Sequence, residues 1–83
     1  MKRLEVRLLP AKQLIGYLVD EFHAVEQGDG TVTGEGWTAR FTPGEHIALG
    51  EFTRVPVLFI EFDGPRESVA ANFMMQMTMR GGG

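Results

Sequence analysis

The chain ends in three consecutive glycines, residues 81–83, and this stretch suggests chemistry more directly than any other. Glycines carry no side chain, so an enzyme could draw these residues into a narrow site and activate the carboxylate of Gly83. Adenylation of that carboxylate, followed by exchange for a thiocarboxylate, would make the chain a carrier with Gly82 and Gly83 as its reactive end. The alternative is a flexible terminus without a chemical role, because so short a motif also occurs by chance.

The other candidate reactive groups give weaker signals. His23 and His46 could ligate a metal with Glu45 or Asp20, but they lack a paired spacing such as H-x-x-x-H. His23 is better explained as a cation at the negative end of a helix dipole. Asp20 and Glu21 are adjacent helix positions that point apart, so they do not form an acid–base pair. We therefore predict no metal, no cofactor, no catalytic residue and no enzymatic activity.

Residues 28–36 are rich in glycine and invite comparison with phosphate-binding loops. Their spacing is not G-x-G-x-x-G, and no helix follows to present backbone amides to a phosphate. Three carboxylates, Glu26, Asp29 and Glu35, would repel an anion. The segment is therefore interpreted as hairpin turns.

Composition limits the class of protein. Eighty-three residues form one small domain, predicted at residues 1–80, followed by a flexible glycine tail at residues 81–83. The chain has no cysteine, which fits the reducing cytoplasm. Its net charge of −3, with scattered Lys and Arg, argues against nucleic acid as the main partner. No apolar stretch is long enough to span a membrane, and we expect no membrane association.

Residues 55–64 are the longest apolar run and predict a central strand that begins at Pro56. Successive side chains of a strand point to opposite faces of the sheet, so the residues of the run fall into two sets, one on each face. We expect one face to carry Leu58, Ile60 and Phe62, and the other to carry Val57, Phe59 and Glu61. Since both faces are largely apolar, each needs a cover.

Two amphipathic helices are predicted to cover one of these faces. The first follows Pro10 and carries an apolar stripe of Leu14, Ile15, Leu18, Val19 and Phe22. The second has Pro65 in its first helical turn. Its expected inner positions are Val69, Phe73 and Met77, with Ala70 and Met74 beside them.

Short strands account for the rest of the chain. The alternation of apolar and polar residues predicts strands at residues 4–8, 24–27, 31–33, 37–42 and 47–52. Trp37, Ala39 and Phe41 should share the face under the helices. The order β-α-β-β-β-β-β-α predicts an α+β fold, in which an antiparallel sheet carries both helices on one face.

Four methionines fall within six residues near the end of the second helix: Met74, Met75, Met77 and Met79. They cannot all face the sheet, so Met75 and Met79 should point outward. Together with Val57 and Phe59 they predict an apolar surface that binds a protein partner, most simply a second copy in a homodimer.

Several of these segments together resemble a known family. They are the helix with Leu14, Tyr17 and Leu18, the turn at residues 34–36, the segment 49–52 that leads through Pro56 to Glu61 and Gly64, and the ending at residues 80–83. They are similar to the small bacterial domain that follows the ubiquitin-like part of MoaD-related proteins, relatives of the small subunit of molybdopterin synthase. The resemblance implies a TATA-binding-protein-like α+β fold without an assigned function, and it implies no DNA binding. The ubiquitin-like domain itself is absent from this sequence.

Three functions are compatible with these observations. The preferred one is a non-enzymatic interaction module, which the resemblance links to molybdopterin or sulfur-carrier biosynthesis. The second is a carrier charged by an activating enzyme at its Gly-Gly end, although ubiquitin-like carriers open with a β-hairpin and this chain opens with a strand and a helix. The third is a small-ligand binder whose cavity between the helices and the sheet is lined by Trp37.

Overall fold

The computed structural model describes residues 1–7, 9–44, 47–48, 50–51 and 54–81. In chain order its elements are β1 (Lys2–Arg7), α1 (Ala11–Phe22), β2 (Val25–Glu26), β3 (Thr31–Gly34), β4 (Trp37–Pro43), β5 (Ile47–Ala48), β6 (Arg54–Val55), β7 (Val57–Asp63) and α2 (Glu67–Gly81). Neither α1 nor α2 is long and apolar enough to cross a membrane.

The main sheet has five strands in the order β1-β7-β4-β3-β2, and every neighbouring pair is antiparallel. The predicted central strand, β7, lies between β1 and β4. Its Ile60 pairs with Leu4 on one side and with Phe41 on the other, so apolar residues from three strands form a row on one face. The predicted α+β class with an antiparallel sheet is confirmed.

Both helices pack on this face of the sheet, as predicted. The face contributes Leu58, Ile60 and Phe62 to a single core, which also contains the buried residues of the two helices. The helices divide the sheet between them, because α1 contacts β2 and β3 whereas α2 contacts β1, β7 and β4. Trp37, Ala39 and Phe41 are buried in the same core, which confirms the face predicted for them.

The stripe predicted for α1 is confirmed. Leu14, Ile15 and Leu18 are buried, and Val19 and Phe22 pack against the same core. Pro10 precedes the helix as its N-cap residue, where its extended backbone suits the entry of the chain. His23 ends the helix in the left-handed conformation, with a φ of 54°.

The inner face of α2 differs from the prediction. The helix buries Ala70, Ala71 and Met74, whereas Val69 is 43% exposed and Phe73 and Met77 are half-buried. Two adjacent alanines allow the helix backbone to approach the sheet closely, and this turns the larger side chains of the predicted spine toward the edge of the contact. The helix also begins later than predicted, since Pro65 and Arg66 form a turn that precedes Glu67.

The predicted strands at residues 47–52 and 55–64 require correction. Residues 47 and 48 pair with residues 55 and 54 in a separate two-stranded sheet, so β5 and β6 form a hairpin of their own. Pro56 separates β6 from β7, because proline has no N–H to continue a ladder of hydrogen bonds. Leu8 and Phe52, the predicted ends of two strands, lie outside the described residues.

Replacement of Ile60 by Ala tests the position of the core. Ile60 is fully buried between two neighbouring strands, so its loss should lower the free energy of unfolding by about 2 to 5 kcal/mol. The control is Val25→Ala on β2, where the side chain is 60% exposed and the change should cost less than about 1 kcal/mol. Urea denaturation measures both, and equal losses would contradict the described core.

Candidate functional site

The last two turns of α2 expose methionine side chains. Met74 is fully buried and is the last buried residue described in the helix, whereas Met75 is 45% exposed and Met79 is 71% exposed. The Thr78 hydroxyl donates a hydrogen bond to the Met75 carbonyl oxygen at 2.9 Å, so it bonds within the helix. The prediction that Met75 and Met79 point away from the core is confirmed. We call these two side chains the methionine face.

α2 continues from the methionine face to the first residue of the glycine tail. α2 extends to Gly81, one residue beyond the predicted domain boundary. Seven residues follow Met74 in the helix, so Gly81 lies roughly 10 Å beyond the last buried side chain at the usual rise per residue. Gly82 and Gly83, the predicted carrier end, lie outside the described residues.

Val57 and Phe59 lie on the other face of the sheet, where the chain itself covers much of their surface. Val57 is 6% exposed, and Phe59 is half-buried. The Arg3 guanidinium carbon lies 4.3 Å from the centre of the Phe59 ring, in a cation–π arrangement. Gly44 approaches the edge of the same ring so closely that a Cβ there would lie 2.5 Å from Phe59 Cε2. A partner could therefore reach little of Val57.

A cleft of about 210 Å³ opens at the junction of α1, the β3–β4 turn and the start of α2. We call it the Trp37 cleft; its lining residues are Phe22, Glu35, Trp37, Arg66 and Val69. The rings of Phe22 and Trp37 meet edge to face, with their centres 5.5 Å apart. The cleft therefore has an aromatic wall and two oppositely charged side chains in its lining.

Glycines determine the shape of this corner. The Trp37 indole lies against Gly34, where a Cβ would overlap the ring, and the Arg66 stem lies against Gly36, where a Cβ would be 2.8 Å from Arg66 Cδ. Gly36 also accepts a hydrogen bond of 2.8 Å from the Arg66 N–H. Gly64 is held at a φ of 119°, with its Cα facing the Gly36 carbonyl. The two turns are thus in direct backbone contact.

A second groove, of about 300 Å³, runs between α1 and α2. Its lining residues are Tyr17, Asp20 and Glu21 from α1 and Phe73 and Met77 from α2. Asp20 and Glu21 are exposed on the polar side of α1, as predicted.

The sequence did not predict the cleft as a unit. From the sequence we expect Trp37 to line a cavity and Phe22 to lie in the core, and no pattern indicates that Glu35 or Arg66 lines a cavity. The available signal was the pair of glycines around Glu35 together with Gly64, since glycine marks close approach of backbone segments.

Of the four residues considered as metal ligands in the sequence, the structure describes His23 and Asp20. Among the described residues, no group of three or more His, Asp and Glu side chains is placed to hold a metal ion. His46 and Glu45 lie outside the described residues. His23 is exposed at the end of α1.

Over residues 2–83, the chain matches the model of a family described as archaeal MoaD-like protein. The chain belongs to this family. The MoaD-related resemblance of the sequence is therefore confirmed at the level of the family. The match covers α2 and the glycine tail as well as the sheet. Comparison with curated proteins gives no match.

Substitution of Gly64 tests the contact between the two turns. In Gly64→Ala, the Cβ would lie 2.5 Å from the Gly36 carbonyl oxygen and 2.9 Å from Trp37 Cα, at a φ that favours glycine. The free energy of unfolding should fall by at least about 1 to 3 kcal/mol. Urea denaturation provides the measurement.

Two other glycines provide matched controls. Gly50 has a similar φ of 128°, and no atom of the described residues lies within 4 Å of an added Cβ, so Gly50→Ala should reveal backbone strain without overlap. Gly16 lies within α1 with nothing near its added Cβ, and Gly16→Ala should stabilise the protein by about 0.4 to 1 kcal/mol. If Gly64→Ala lowered the free energy of unfolding no more than Gly50→Ala, the contact of Gly64 with the Gly36 carbonyl would add nothing to the cost of backbone strain.

Proposed function

We propose that this protein is a non-enzymatic module that docks on a partner protein through the methionine face of α2. The observation that carries the proposal is the exposure of Met75 and Met79 on a helix whose preceding turns bury Ala70, Ala71 and Met74 in the core. Methionine side chains are flexible and polarisable, and they suit surfaces that adapt to a partner. The helix thus has one buried face that fixes its position and an end at which Met75 and Met79 are available for contact.

Family membership supports a particular context for this docking. The MoaD-like family suggests a role as a sulfur carrier or in molybdopterin chemistry, and such proteins work with partner proteins. We propose that the partner is an activating enzyme of that chemistry, in a reducing compartment such as the cytoplasm, because the chain has no cysteine to be oxidised.

A second candidate function uses the same helix. The family match runs through the glycine tail, which favours a carrier whose C-terminal carboxylate at Gly83 is adenylated and then converted to a thiocarboxylate. Since Met79 and the tail are close in sequence, a partner that binds the methionine face would have Gly82 and Gly83 within reach.

The fold adds a constraint to the carrier proposal. Ubiquitin-like carriers open with a β-hairpin, whereas this chain opens with β1 and α1 and has an entirely antiparallel main sheet. Its order of elements supports our proposal of a TATA-binding-protein-like fold. Here the tail follows a helix, so an activating enzyme would have to recognise an exposed helix end.

Self-association is a further proposal for the same surface. In a homodimer, Met75 and Met79 of two copies would cover each other, whereas Phe59 lies on the face of the sheet away from α2 and would need a separate contact. Val57 is less suited to this role because little of it is exposed. Sedimentation at micromolar concentration distinguishes a dimer from a monomer.

Sulfur transfer in vitro tests both functions. Incubation with the cognate activating enzyme, ATP and a sulfur donor should raise the protein's mass by the difference between sulfur and oxygen. Met79→Lys should slow this reaction and weaken binding of the enzyme, because it places a charge in a contact that excludes water. Mass spectrometry and a binding titration provide the two measurements.

Val25→Lys is the matched control, since Val25 is also exposed and apolar but lies on β2. It should bind the enzyme and react as the unmodified protein does. Binding without any mass increase would reject the carrier function and keep the docking module. Equal effects of Met79→Lys and Val25→Lys would reject the methionine face.

A further inference from the structure

The Trp37 cleft holds two side chains of opposite charge that do not pair with each other. Among the residues that the structure describes, the ion pairs are those of the N-terminus with Glu67 and of Arg7 with Glu5. Glu35 and Arg66 are exposed at the cleft, and the backbone contact between Gly36 and Arg66 brings their segments together. A positive and a negative group thus lie in the lining of one cleft.

The remaining lining of the cleft is apolar. Phe22, Trp37 and Val69 provide two aromatic side chains and one aliphatic side chain. The Phe22 ring is itself fixed between Trp37 and Phe73, with ring centres 5.1 Å apart in the second pair. An apolar group that enters the cleft would therefore meet a preformed wall.

The size of the cleft limits the ligand. Its volume of about 210 Å³ is below the roughly 300 to 1,000 Å³ of pockets that hold drug-sized ligands. A ligand of the size of one amino acid fits this volume better than a nucleotide does. A small polyanion would be repelled by Glu35, and a small polycation would be repelled by Arg66.

Close packing fixes the position of the Trp37 ring and of the aliphatic stem of Arg66. The Arg66 stem rests on Gly36, and the Trp37 indole rests on Gly34, as their close approaches show. Guanidinium groups bind carboxylates through two parallel hydrogen bonds, and a carboxylate accepts hydrogen bonds from an ammonium. A ligand with one carboxylate and one ammonium would satisfy both groups without net charge.

We propose that the Trp37 cleft binds a free α-amino acid with an apolar side chain. Arg66 binds its carboxylate, Glu35 binds its ammonium, and the side chain packs on Phe22, Trp37 and Val69. The site lies at the N-terminal end of α2, whereas the methionine face lies toward the other end. The proposal is therefore independent of the docking function.

The fluorescence of Trp37, the single tryptophan of the chain, reports binding directly. The probes are L-leucine, 4-methylpentanoate, which lacks the ammonium, and 3-methylbutylamine, which lacks the carboxylate. L-Leucine should give a saturable change. Each analogue should bind at least about tenfold more weakly, since each loses charge-assisted hydrogen bonds.

Variants assign the two charged contacts. Arg66→Gln should lower the affinity for L-leucine at least about tenfold but leave the affinity for 3-methylbutylamine unchanged. Glu35→Gln should not lower the affinity for 4-methylpentanoate. Arg40→Gln is the control, because it removes an equal charge from an exposed position on β4 that does not line the cleft. The unbound variants' unfolding transitions show whether each one folds.

The outcomes are separable. No saturable response of the folded protein to L-leucine would overturn the proposal. Equal affinity for L-leucine and 4-methylpentanoate would show a simple anion site and would also overturn it. An unchanged affinity in Arg66→Gln would contradict the assigned carboxylate contact.

Discussion

The structure depends on one close backbone contact, between the β3–β4 turn and the turn that precedes α2. The Gly36 carbonyl accepts the Arg66 N–H at 2.8 Å, and Gly64 meets the same carbonyl at a φ of 119°. A side chain at Gly64 would prevent this approach. The contact fixes where α2 starts, and the following turns place Ala70, Ala71 and Met74 on the sheet.

One helix therefore connects two separate surfaces. Its first turn provides Val69 to the Trp37 cleft beside Arg66, its middle is buried in the core, and its last turns expose Met75 and Met79. Since the middle is held by packing against β1 and β7, the two ends can serve different contacts without moving relative to each other. This division is the physical basis for assigning a small ligand to the Trp37 cleft and a protein partner to the methionine face.

Much of the fold follows from local patterns in the sequence. Alternation in β7 and the stripe of α1 determine which residues are buried, because each follows the period of its own element. The buried face of α2 was not predictable in this way, since alanines weigh little in an apolar pattern but allow the closest approach to a sheet. The hairpin of β5 and β6 does not follow from the local pattern, because a proline can either begin a strand or interrupt one, and Pro56 interrupts it.

The candidate sites were predictable to different degrees. The exposure of Met75 and Met79 follows from helix geometry, since methionines at adjacent positions cannot share one face. The partial burial of Phe59 depends on Arg3 and Gly44, which are distant in sequence, and no local pattern indicates such contacts. The Trp37 cleft combines residues from three regions of the chain, and only its glycines mark it.

Amide hydrogen exchange in the free protein, measured residue by residue along α2, shows where the helix is anchored. We expect strong protection of the Arg66 N–H and of the amides near Ala71 and Met74, followed by a progressive loss of protection toward Met79. Protection of this kind reports how firmly each segment is held by its packing. Uniform protection as far as Met79, or rapid exchange of the Arg66 N–H, would contradict a helix anchored at its start and exposed at its end.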